Sequence, residues 1–243
     1  MLGKFLFRTF FALIVFGVIL APLSAAQGAP PSEISKADAK TEWKQLNNEV
    51  VAAYRAGEYA LGIERAEAAL KIAESAFGAE HPDTLASVNN LAKLYESQGR
   101  YAEAEPLLIR ALEARERVLG DEHPDTHGSV NNLAQLYQSQ GRYVEAEPLF
   151  LRALEARERV LGAEHPDTLS SVNNLAALYQ SQGRYAEAEP LYLRTKTTAE
   201  RVLGEEHPIT LSSVNNLAVL YQSQGLYGPV SYTHLTLPTT PYV

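Results

Sequence analysis

The residues of this chain with the most chemical capacity recur at a fixed interval. His-Pro-Asp-Thr begins at His81, His123 and His165 and returns as His207-Pro208-Ile209-Thr210, 42 residues apart each time. Histidines in register invite a metal site. Equivalent positions in adjacent units lie at least a helix-packing distance apart, about 8–10 Å, whereas ligands of one zinc ion sit about 2 Å from it. The four are therefore expected to pack locally in a turn that precedes a helix. His127 stands where Leu169 and Leu211 stand in later units and is expected to be a partly exposed substitution. Glu103, Glu105, Glu113 and Glu116 recur with Arg110, Arg115 and Arg117, and Glu113 to Arg117 has the spacing of an intrahelical ion pair, worth about 0.2–0.5 kcal/mol. General acid–base catalysis needs two acids held in different environments within a pocket. No pair is singled out, and no serine nucleophile elbow, zinc-protease helix motif or phosphate-binding loop occurs. The reading is of a non-enzyme, with no catalytic residue, metal or cofactor.

Carboxamides are the stronger candidates. Asn89-Asn90, Asn131-Asn132, Asn173-Asn174 and Asn215-Asn216 recur off the apolar stripe, followed by Gln138, Gln180 and Gln222 with Ser139, Ser181 and Ser223. Each carboxamide offers donors and acceptors together. Such a ladder can line a groove, or one Asn of each pair can bridge to a neighbouring helix inside the stack. Positions that vary between units would set selectivity: Lys93, Gln135, Ala177 and Val219 on one row, Ala86, Gly128, Ser170 and Ser212 on another. The first row grades from charged to apolar. A ligand with an acidic part near Lys93 and a hydrophobic part toward Val219 is expected.

The elements that carry these residues follow from periodicity. His123–Glu164 and His165–Glu206 agree at 31 of 42 positions, and repetition on that scale marks an array whose units bury their apolar faces by stacking. Val88, Leu91, Ala92 and Tyr95 follow i, i+3, i+4, i+7, and Ala104, Leu107, Leu108, Ala111 and Leu112 do so after a break at Ser97–Tyr101. Two helices are written per unit. Gly99 and Gly120 end them, and Pro82 followed by Asp83 suits a helix start. If the second helix begins near Ala102, Pro106, Pro148 and Pro190 fall early in it and impose a slight bend or a late start.

Val88, Leu91, Ala92, Tyr95, Gly99, Tyr101, Ala104, Leu108 and Ala111 resemble, in order and spacing, the tetratricopeptide repeat. That repeat usually runs to about 34 residues, and the longer period here, with Leu-Gly-x-x-His-Pro between units and Asn-Asn-Leu-Ala in the first helix, is similar to the kinesin-light-chain subtype, also widespread in bacteria. The resemblance covers roughly 41–226. It implies an all-α solenoid of stacked antiparallel helix pairs in a right-handed superhelix, with the first helices facing a concave groove that binds proteins or peptides. By the same resemblance the groove asparagines hold the backbone of an extended ligand, so the expected peptide-binding residues are Asn89, Asn90, Lys93, Asn131, Asn132, Gln135, Gln138, Asn173, Asn174, Gln180, Asn215 and Asn216. Residues 79–228 are read as these repeats, with units at 81, 123 and 165 and a truncated one at 207.

Residues 41–78 diverge. Gly62 replaces a small alanine and the Asn-Asn-Leu-Ala motif is missing, yet Trp43, Leu46, Val50 and Tyr54 keep a helical stripe, as expected of a capping pair. Residues 1–26 carry Lys4 and Arg8, an apolar run from Phe10 to Leu23, then Ser24-Ala25-Ala26. This is the pattern of a cleaved secretory signal, an uncleaved membrane anchor being the alternative. Residues 27–40 are read as a flexible leader. Residues 229–243 have no helical period and read as a translated sequencing-library adapter, so natural coding is expected to stop near Gly228. The last helix, with Leu211 and Val214, is then expected to expose an apolar face, through which copies could dimerise.

The formal charge of the whole chain is −8 and it has no cysteine. That balance argues against nucleic acid as a partner and excludes thiol chemistry. The expected function is a protein- or peptide-binding scaffold, periplasmic or secreted, with no membrane contact once the signal is removed. The alternatives are the regulatory region of a longer enzyme, such as a caspase-like protease, or a structural self-association module.

Overall fold

Helix boundaries in this protein are set by local chemistry that repeats with the sequence. The computed structural model describes residues 35–225; the expected signal at 1–26, the leader as far as 34 and the segment 229–243 lie outside the described residues. α1 spans Lys36–Ala56 and α2 Tyr59–Phe77. α3 (Pro82–Ser97) and α4 (Tyr101–Leu119) follow, then α5 (Pro124–Ser139), α6 (Tyr143–Leu161), α7 (Pro166–Ser181), α8 (Tyr185–Leu203) and α9 (Pro208–Ser223). Among the described residues there are no strands.

From α3 onward each odd-numbered helix opens on proline, which lacks the donor that would be unpaired there. The histidine before it is the cap. The Nδ1 atoms of His81, His123, His165 and His207 accept the backbone N–H two residues on at 3.1–3.2 Å, a role usually taken by Ser, Asp or Asn. Thr84, Thr126 and Thr210 then donate to the carbonyls of Gly78, Gly120 and Gly204 at 2.7–2.8 Å, tying the first turn to the preceding chain. Between the helices of a pair the chain reverses at Gly99, Gly141 and Gly183, with φ of 70°, 73° and 74°, left-handed values that cost a residue with a Cβ about 1 kcal/mol or more. The even-numbered helices start one residue before Ala102 and its equivalents, and Pro106, Pro148 and Pro190 lie inside them.

The leader reading needs correction at its end. Residues 36–40 are helical, because Ser35 caps α1 by accepting the N–H of Asp38 at 3.2 Å and because Ala39 is buried while Lys40 pairs with Asp83 of α3. The first pair therefore starts near Ser35 rather than Thr41. Its Gly62 packs tightly against α3: an added Cβ would lie 2.8 Å from Leu94 Cδ2, and that side chain would have to shift.

Neighbouring pairs share one continuous core. Val50, Ile63, Leu91, Leu94, Leu108, Val130 and Leu136 pack as one cluster across three units, and the layer continues through Phe150, Val172, Leu175 and Leu178 to Tyr192, Leu217 and Leu220. Ala104, Ala146 and Ala188 are fully buried where the helices of a pair approach. Tyr192 is buried too. Its hydroxyl donates to Gln180 Oε1 at 2.9 Å, and burial pushes its phenol up to about 12.

Ion pairs run across the seams as well as along single helices, where Lys196 meets Glu200 at 2.6 Å. Arg110, Arg152 and Arg194 each reach back to Glu74, Glu116 and Glu158 of the preceding unit at 2.5–2.7 Å. Arg117, Arg159 and Arg201 do the same to Glu80, Glu122 and Glu164. Arg117 thus pairs between units, and the expected intrahelical partner Glu113 is not the one it takes. Arg142 and Arg184 lie 4.0–4.1 Å over the rings of Tyr137 and Tyr179 and bind Glu105 and Glu147 at 2.7 Å. Arg115 and Arg157 bridge to the next odd helix, donating to the Asp125 and Asp167 carbonyls and to Ser129 and Ser171 Oγ. His127 is also corrected: it is 2 % exposed, buried as Leu85 and Leu169 are.

Candidate binding face

The carboxamides stand on the odd-numbered helices, one turn and more beyond the histidine caps, and mostly engage one another. Asn90 Nδ2 donates to Asn47 Oδ1 at 3.0 Å, Asn174 to Asn131 at 2.9 Å and Asn216 to Asn173 at 3.0 Å. In each rung the second Asn of a unit reaches the first Asn of the unit before it. Asn47 belongs to the divergent pair, where Asn47-Asn48 stands 42 residues before Asn89-Asn90 without the Leu-Ala that follows the later pairs.

One rung is open. Asn132 makes no such bond to Asn89, and Asn89 Oδ1 is buried without a hydrogen-bond partner. Beside it lies a cavity of about 240 Å³ lined by Asn89, Asn90, Lys93, Glu96, Leu108, Asn132 and Gln135. Glu96 is held there by Ser139 Oγ at 2.7 Å. A second cavity, of about 290 Å³, shares Asn90 and Lys93 and is walled by Val50, Val51, Tyr54 and Leu94. A third, of about 350 Å³, lies between α7 and α9 beside Asn173 and Asn174.

The remaining candidates fall as follows. Lys93 is exposed, its ammonium 5.6 Å from the Tyr54 ring centroid, and pairs with no carboxylate among the described residues. Gln138 donates to Ser181 Oγ at 3.2 Å, and Gln180 is taken by Tyr192. Asn215 is exposed on α9. The row through Lys93 does not grade one way, since Val51 and Tyr54 lie on one side of the lysine and Gln135, Ala177 and Val219 on the other. Among the described residues no three His, Asp or Glu side chains are placed to hold a metal ion, and no helix is long and apolar enough to cross a membrane.

Helix pairs stacked in register, with carboxamides and cavities along one row of helices, define a helical-repeat solenoid, a class that generally mediates protein–protein interaction. Tetratricopeptide repeat models match residues 84–125, 128–195 and 168–229, more than half of the chain. The chain belongs to the tetratricopeptide repeat family. It is similar to the crystal structure of a kinesin light chain from Podosopora anserina with nearly identical TPR-like repeats, at 29% identity and TM-score 0.63, over 80% of this chain and 90% of that one. BtubC (BKLC) from P. vanneervenii has the same fold at 20% identity and TM-score 0.60, over 79% of this chain and 83% of that one. So does a Rap protein complexed with competence and sporulation factor, at 15% identity and TM-score 0.65, over 76% of this chain and 50% of that one. No curated protein sequence matches the chain significantly.

Proposed function

We propose that the protein is a non-catalytic scaffold that binds an extended peptide segment of a partner along the row of odd-numbered helices, with the open rung between α3 and α5 as the point of capture. The observation that carries this is the unpaired Asn89–Asn132 rung facing a cavity of about 240 Å³. Where a rung is closed, its amides are spent on the stack. At the open one Asn132 and Gln135 keep donors and acceptors for a ligand backbone, and Lys93 adds an unpaired charge beside them. The Rap protein, whose structure is a complex with competence and sporulation factor, is a precedent for complex formation on this fold.

Peptides selected from a displayed random library on the purified protein test the reading. Their affinity should fall by about tenfold, or about 1.4 kcal/mol, in Asn132→Ala and Gln135→Ala, and far less in Asn216→Ala, whose rung is closed. Peptides that bind Asn132→Ala, Gln135→Ala and Lys93→Ala proteins undiminished would place recognition elsewhere. We assign the site of action outside the cytoplasm from the pattern of residues 1–26, and a mature N-terminus at Gln27, read by mass spectrometry, is the expected result.

A further inference from the structure

Every described histidine lies at a boundary between units, and one of them caps nothing. His127 occupies the first turn of α5. Its ring is held from one side only: Nε2 donates to the Asp121 backbone carbonyl at 2.9 Å. A carbonyl cannot donate, so this bond fixes the neutral tautomer with a bare Nδ1. That Nδ1 is buried and has no hydrogen-bond partner.

The charged groups facing the ring come from two elements besides its own. Arg157 and Arg159 approach from α6 and Glu122 from the α4–α5 turn. Each already has partners. Glu122 is gripped by Arg159 at 2.5 and 3.0 Å, Asp121 lies 3.4 Å from Arg152, and Arg157 is bound to the Asp167 carbonyl and Ser171 Oγ at 3.1 and 2.7 Å. On α5 itself His123 is the cap and Asp125 is exposed. A second proton on the ring would create a buried N–H without an acceptor and a further positive charge beside two guanidinium groups.

We infer that His127 is a proton-operated wedge: acid releases the first turn of α5 from the α4–α5 turn and from α6, and with it the Asn132 side of the open rung. Asn132 lies five residues further along the same helix, and α5 is the helix whose rung toward α3 stays open. The effect on ligand binding rests on the proposed function, whereas release of the seam does not. Burial holds the imidazole below its usual range. A histidine in an unfolded chain titrates near about pH 6.5, so just below that value the unfolded chain binds more protons than the folded one. The seam is fully stable above about pH 6.5 and weakens as pH falls through it, until the folded imidazole itself titrates.

Amide exchange at residues 126–132, corrected for the chemical exchange rate, tests this at about pH 7.5 and about pH 5.0. The unaltered protein should lose protection there by about tenfold for each unit by which the imidazole is depressed. His127→Leu, which restores the residue found at 85 and 169, should keep its protection at both pH values. His165→Asn, which substitutes a pH-insensitive cap, should leave the loss at α5 unchanged. Equal loss in His127→Leu, or a His127 ring that titrates by NMR at or above the free-histidine value, would overturn the wedge. Affinity for a library-selected peptide should fall with the protection. If protection falls and affinity does not, the link to the groove fails; if no peptide can be selected, the binding reading fails and the seam result stands.

Discussion

At the scale of single residues, the asparagine ladder holds units together before it can hold anything else. The amide of Asn174 is part-buried and spent on Asn131, so Asn131→Ala should leave an unpaired donor and cost about 1–3 kcal/mol in urea unfolding. Asn89 Oδ1 has no partner to lose, so Asn89→Ala should cost distinctly less. Equal costs would mean that the rung between α3 and α5 closes in solution. The histidines of the repeat obey a similar economy: a residue type that suggests metal chemistry serves as a helix cap through Nδ1. What distinguishes His127 is burial, not spacing. The sequence places it on the same row as Leu169, and only the packed neighbours reveal that its ring is shut away from water.

At the scale of elements, glycines with different backbone geometry should respond oppositely to the same change. Gly141 sits at φ 73° between α5 and α6, so Gly141→Ala should destabilise by about 1 kcal/mol or more. Gly128 lies inside α5, where an added Cβ meets nothing within 4 Å, so Gly128→Ala should stabilise by about 0.5–1 kcal/mol. Thermal or urea unfolding of the two variants reads both signs. The seam arginines are weaker levers. Arg152 and Glu116 are 40% and 31% exposed, and Arg152→Gln should cost less than about 1 kcal/mol, an effect that shrinks in high salt. The half-buried guanidinium of Arg157 is different, because its removal takes a partner from the buried hydroxyl of Ser171 and from the Asp167 carbonyl at the start of α7.

At the scale of the whole molecule, stability should be nearly a sum over units, since each pair touches only its neighbours. Deleting His165–Glu206, one period of 42 residues, joins α6 to α9 with a histidine cap and an Asn pair still in register. The shortened protein should unfold cooperatively with an m-value lower by about a fifth. A molten or aggregated product would show that the units are not interchangeable. Much of this was legible in the chain, because helix starts, helix stops and the apolar stripe are local features that period and residue type specify. The true start of α1 was not, since Ala39 and Lys40 are ordered by contacts with a distant part of the chain rather than by a repeat motif. Nor were the ion pairs between units, because a glutamate followed 36 or 37 residues later by an arginine carries no meaning until helices are stacked. The sequence alone determined a tandem array of helical hairpins with carboxamides on one row of helices, since local propensity and a strict period leave few other ways to bury the apolar stripe. Tertiary structure alone decided which carboxamides are consumed by the stack and which rung stays open. Identical Asn pairs acquire different partners only when the rows of neighbouring helices are set side by side at a definite offset.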